Sequence, residues 1–107
     1  MPDQPRISRR TAQVDSETVS FLEGGQGPAL LFLHSFGASG DLWRHQLDAF
    51  ALDHRVIAPD LRGHGGTSWE GGLKPAQMAF DAAGLCRELG CESAVVIGLS
   101  MGANVAV

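Results

Sequence analysis

With 107 residues the chain supports one domain at most, and an apolar fraction of 44% excludes a disordered, purely solvated segment. A net charge of −4, with no cluster of Lys and Arg, speaks against nucleic acid and anionic membrane surfaces as partners. No apolar run reaches membrane-spanning length, and Met1-Pro2-Asp3-Gln4-Pro5 lacks the apolar stretch of a secretory signal, so a cytoplasmic protein is expected.

Residues 7–14 and 18–22 read as two short strands joined by a hairpin turn at Asp15-Ser16. Arg9-Arg10 is expected on a solvated strand edge. Residues 23–28 form a glycine-rich turn, but a strand follows it rather than a helix, which disfavours a phosphate-cradling loop. Ala29-Leu30-Leu31-Phe32-Leu33 is continuously apolar, as in strands buried on both faces of a parallel sheet. After a loop at 34–40, residues 41–50 show helical spacing, with Leu42, Trp43, Gln46, Leu47 and Phe50 on one side and Ser39 or Asp41 as the cap. Residues 55–58 form the next buried strand, ended by Pro59. A long glycine-rich loop follows over 60–72. Lys74-Pro75 then opens a helix with Met78, Ala82, Leu85, Cys86 and Leu89 on one stripe and Gly90 as its stop. Cys86 and Cys91 carry no metal-ligand spacing; buried thiols are favoured over a disulfide, which stays open.

Ala94-Val95-Val96-Ile97 leads straight into Gly98-Leu99-Ser100-Met101-Gly102, and an apolar run able to open a helix follows. A serine hydroxyl is a poor nucleophile unless it is held clear of the backbone and served by a base. A tight strand-to-helix turn does the holding, and Gly98 and Gly102 let the backbone bend and pack closely. The N-terminal amides of the helix face the same place, where negative charge would develop on a substrate oxygen. Strands alternating with helices imply an α/β fold, a mostly parallel sheet flanked by helices. In such folds ligand sites form at the carboxyl ends of the strands, which groups the loops 34–40, 60–72 and 98–102 on one edge.

Leu31-Phe32-Leu33-His34-Ser35-Phe36-Gly37, Leu42-Trp43-Arg44-His45-Gln46-Leu47, Val56-Ile57-Ala58-Pro59-Asp60-Leu61-Arg62-Gly63-His64-Gly65 and Gly98-Leu99-Ser100-Met101-Gly102 occur in the order and spacing of one family. Residues 18–107 thereby resemble the α/β-hydrolase superfamily. The resemblance implies that Ser100 is the nucleophile of an acyl-enzyme. The backbone amides of Phe36 and Met101 would form the oxyanion hole. His34, Ser35, Leu99 and His64 would line the substrate site, with no cofactor and no metal. The chain departs from the usual pattern at Ser35, where members carry glycine, at Leu99, where histidine is frequent, and at Ala103, where a second glycine is common. Its Ser-Phe-Gly loop and Gly-Leu-Ser-Met-Gly elbow are similar to the enol-lactonase branch, which points to a small ester or lactone.

In this family the triad acid and histidine follow the nucleophile. The chain is therefore expected to be a single, incomplete α/β-hydrolase core, an N-terminal portion that is inactive alone, with lid and later strands absent. Of the four histidines, His45 and His54 are expected in solvent and His34 and His64 in structural roles. Asp60 is expected to brace a loop, pairing with Arg62. Alternatives are the same fold performing acyl transfer, C–C bond hydrolysis or perhydrolysis, or a non-catalytic binding protein that kept the pocket. A nucleotide-binding domain is disfavoured by the first glycine loop. Substrate identity and oligomeric state are not encoded in any motif.

Overall fold

The computed structural model describes residues 6–69, 71–72 and 74–106, with the backbone alone at 103, 104 and 106. Strands β1 (Ser8–Val14) and β2 (Glu17–Gly24) pair antiparallel around Asp15-Ser16, and Asp15 takes a left-handed φ of 54° that closes the two-residue turn. β3 (Ala29–Leu33), β4 (Arg55–Pro59) and β5 (Val95–Gly98) are parallel. The sheet order is β1-β2-β4-β3-β5, with β2 antiparallel to β4. The expected α/β architecture is present, as a parallel half extended by an antiparallel hairpin.

Period-two alternation in β3 divides the core. Leu31 and Leu33 pack with Phe21, Ile57, Met78 and Leu85 on one face, and Leu30 and Phe32 pack with Leu22, Leu47 and Val56 on the other. Phe21, Leu22, Leu47 and Ile57 are fully buried. Removing each such side chain from water contributes about 1.5–3 kcal/mol, which offsets the entropy of ordering the strands.

The helix expected over 41–50 is divided. A 3-10 turn spans Gly40–Trp43, and α1 is Arg44–Phe50. Ser39 caps the turn, accepting a hydrogen bond from the Asp41 N–H. The tighter winding has a local cause: the Gly40 N–H donates to Asp60 Oδ1 at 2.7 Å, and a Cβ at Gly40 would lie 2.5 Å from the Ala58 carbonyl oxygen. Gly40 is pinned against β4, and only Leu47 of α1 is buried, while Leu42 and Phe50 are exposed.

Helix α2 (Pro75–Glu88) starts from an extended Lys74 with Pro75 in its first turn, and buries Met78, Ala82 and Leu85 as expected. Gly84 also lies on the buried face, against Val14 of β1. Helix α3 (Met101–Ala106) follows β5. Among the described residues β5 pairs with β3 only, and Val95 and Val96 are 63% and 42% exposed. No helix among the described residues is long and apolar enough to cross a membrane.

Candidate active site

Ser100 stands between the end of β5 and the first residue of α3, is exposed, and has a left-handed φ of 57°. For a non-glycine residue this conformation is strained by about 1–2 kcal/mol and persists only where the surroundings enforce it. Two contacts enforce it here. The Leu99 N–H donates to the Leu33 carbonyl at 3.2 Å, and the Gly102 N–H to the Leu99 carbonyl at 3.0 Å. The first turn of α3 presses so closely on the end of β3 that a Cβ at Gly102 would collide with the Leu33 carbonyl and lie 2.7 Å from that of His34. Gly102 is required by close approach rather than by its dihedral angles.

Register brings the other expected residues to this point. Leu33 pairs with Gly98, so His34 and Leu99 leave adjacent strands side by side. In the following turn the Ala38 N–H donates to the Ser35 carbonyl at 3.1 Å, and Gly37 supplies a φ of 81°, as the third residue of a type II turn must. The Phe36 N–H stands outside the hydrogen bond of that turn, and the Phe36 ring is 71% exposed. Ser35 keeps an ordinary negative φ, so serine in place of the usual glycine introduces no backbone strain. The Met101 N–H opens α3 and has no acceptor within that helix.

His34 is fully buried, and both ring nitrogens are engaged. Nδ1 donates to the Ser35 carbonyl at 2.8 Å, and Nε2 accepts from the Leu61 N–H at 2.9 Å. The second contact selects the neutral ring with its proton on Nδ1. Burial lowers the His34 pKa, partly opposed by the hydrogen bond to Ser35. The ring thus ties the loop after β3 to the loop after β4. His64 packs between two rings, 4.9 Å from that of His34 and 5.5 Å from that of Phe36, with Nδ1 donating to the Arg62 carbonyl. It is buried. None of the four described histidines hydrogen-bonds the Ser100 hydroxyl. His45 is exposed as expected, whereas His54 is half-buried, hydrogen-bonded to Asp53 and packed edge-on to Phe50.

Asp60 braces the loops as expected, but with a different partner. Its carboxylate accepts from the Gly40 N–H, the Gly66 N–H at 2.9 Å and Arg9 Nη1 at 2.8 Å. Arg9, expected on a solvated edge, reaches across β2 to this buried carboxylate and also bonds Ser20 and Asp41. Arg62 instead forms a two-point pair with Asp81 of α2, at 2.7 and 2.8 Å, with Trp69 stacked on its guanidinium 4.1 Å away. Arg9, Asp81 and Thr67, whose hydroxyl accepts from the Ser20 N–H, escaped sequence reasoning because their partners lie in distant segments. Asp81 left one trace, a carboxylate beside the apolar stripe of α2. Two clefts, of about 560 and 450 Å³, lie at the amino ends of the strands and between α2 and β5, away from Ser100. Ser100 is exposed and lines neither cleft. Among the described residues no three His, Cys, Asp or Glu side chains converge to hold a metal ion.

A model of the alpha/beta hydrolase fold matches residues 28–107. The dihydrolipoyllysine-residue acetyltransferase component of an acetoin cleaving system from Cupriavidus necator is 42% identical over 97 residues, covering 89% of this chain and 26% of that protein. An epoxide hydrolase from Caballeronia sordidicola is 40% identical over 86 residues, covering 77% of this chain and 26% of that protein. The solved structure of the epoxide hydrolase CorEH superposes with a TM-score of 0.90 at 33% identity, covering 94% of this chain and 36% of that one. The chain thus spans about a quarter to a third of the proteins it matches.

Proposed function

On the premise that this chain belongs to the alpha/beta hydrolase fold family, we propose that Ser100 is the nucleophile of a hydrolase acting on a small ester or lactone through an acyl-enzyme. The observation that carries this reading is an exposed serine forced to φ 57° on a sharp strand-to-helix turn. The Ser100 hydroxyl adds to the acyl carbon, and the carbonyl oxygen becomes an oxyanion facing the amides of Phe36 and Met101. Collapse expels the alcohol, which takes up the proton that the general base drew from the Ser100 hydroxyl, and water then cleaves the new ester. The cycle favours an acyl carbon over an alkyl one for a chemical reason. A serine that attacks an epoxide carbon forms an ether, which water does not release, whereas its acyl ester turns over.

His34, with both nitrogens engaged, is a positioning residue and not the base. On this proposal the base and its carboxylate follow Ser100 in the full-length protein, in the order nucleophile, acid, histidine. A fluorophosphonate probe on that protein should label Ser100. Ser100→Ala should abolish the label and lower kcat/KM at least about 10³-fold. Labelling that survives the substitution overturns the reading.

One second reading has an observation behind it. A relative 42% identical is named an acetyltransferase component, so the acyl group on Ser100 could pass to a thiol or alcohol instead of water. Product analysis with water, an alcohol and a thiol in competition separates the two.

A further inference from the structure

Helix α2 ends in a Schellman motif. Gly90 adopts φ 74°, its N–H donates to the Arg87 carbonyl at 3.1 Å, and the Cys91 N–H donates to the Cys86 carbonyl at 2.8 Å. This crossed pair places Cys86, the third residue from the end of α2, beside Cys91, the second residue beyond the cap Leu89, where the motif frequently carries an apolar contact. Here both positions are cysteine, and both thiols are free. Given the 2.8 Å hydrogen bond, standard bond lengths hold the two Cα atoms to at most about 6.7 Å apart, inside the range a disulfide spans. Both side chains are half-buried and line one cleft of about 450 Å³ between α2 and β5, so a small oxidant can reach them.

The two sulfurs are not equivalent. Arg55 Nη1 donates to Cys91 Sγ at 3.1 Å and to the Leu89 carbonyl at 2.9 Å, while its other nitrogens are held by Glu23. The guanidinium is therefore clamped from both sides, and its charge is aimed at Cys91. Burial, with Cys91 beside it, raises the pKa of the Cys86 thiol, opposed in part by the Arg55 charge.

We propose that Cys86 and Cys91 are a reversible oxidation site for a hydroperoxide, with Cys91 as the reacting thiol and Cys86 as the resolving one. The Cys91 thiolate attacks the terminal oxygen of the hydroperoxide, the O–O bond breaks, and Cys91 sulfenic acid and hydroxide (or an alkoxide, which takes a proton from water) result. The Cys86 sulfur then attacks Cys91 Sγ. The S–O bond breaks, the Cys86 proton leaves with the hydroxyl as water, and the S–S bond forms. Two thiols are oxidised by two electrons and one peroxide is reduced. The bond fastens the last turn of α2 to the turn that feeds β5. This site is independent of the role of Ser100.

Hydrogen peroxide on the full-length protein, followed by alkylation in denaturant, tests it. Trypsin cuts after Arg87, between the two cysteines, so the disulfide appears as two tryptic peptides joined, lighter by two hydrogens and released by dithiothreitol. Cys86→Ser should stop at a Cys91 sulfenic acid that dimedone traps. Cys91→Ser, and separately Arg55→Lys with the fold confirmed by circular dichroism, should slow peroxide consumption at least tenfold. Alkylation of both cysteines after peroxide, linkage only between molecules, or equal rates in Cys91→Ser and the parent would each overturn the proposal.

Discussion

Gly102 and Gly37 show how one residue type serves two physical needs beside Ser100. Gly102 has carbonyl oxygens of β3 where a Cβ would go, so Gly102→Ala cannot relax by a rotamer change. It is expected to lower stability by about 3 kcal/mol and to remove probe labelling of Ser100, as read by urea denaturation and mass spectrometry. Gly37 has open space around it and a φ of 81°, so Gly37→Ala meets only the left-handed penalty of about 1 kcal/mol and is expected to weaken labelling less than Gly102→Ala does. His34 belongs at the same scale. Its folded-state pKa lies below the ordinary 6.5, so the unfolded chain binds more protons. Its contribution to stability is therefore complete above about pH 6.5 and is lost as pH falls toward the folded value. Urea midpoints should drop between about pH 8 and about pH 5.5, and His34→Gln should shrink that drop.

Elements are joined here by charged side chains that cross long stretches of sequence. The Arg62–Asp81 pair binds the loop after β4 to α2, with both side chains about one-tenth exposed. Removing one partner leaves a buried charge without compensation, and Asp81→Ala is expected to lower stability by about 3–5 kcal/mol. Replacing both, as Arg62→Met with Asp81→Leu, should recover most of that loss in a double-mutant cycle. Asp60 is different, because two backbone N–H groups and Arg9 share its carboxylate. Arg9→Gln leaves the amide bonds in place and is expected to cost only about 1–2 kcal/mol.

For the molecule as a whole, the sheet carries its apolar character out to β5, where Val95 and Val96 are exposed and pairing is one-sided among the described residues. An edge with exposed valines and unpaired amides is a template for another strand. The 107-residue polypeptide is expected to self-associate with rising concentration in light scattering. Val95→Lys should shift it toward monomer. Monodisperse, cooperative unfolding of the unmodified chain would contradict the expectation.

What sequence determined by itself were features written within a few residues: β3 as an unbroken apolar run, the hairpin at Asp15-Ser16, Pro75 and Gly90 at the ends of α2, and the glycine-flanked Ser100. Local sterics and side-chain periodicity decide these, and both act over one or two turns of chain. Tertiary structure alone decided that β2 lies antiparallel to β4, that Arg9 rather than Arg62 holds Asp60, that His64 is packed between His34 and Phe36, and that Gly40 winds the start of the 41–50 helix more tightly. Each of these depends on which surfaces meet when the sheet assembles. A carboxylate read along the chain shows that it needs a partner, while only packing brings one of several arginines within 3 Å.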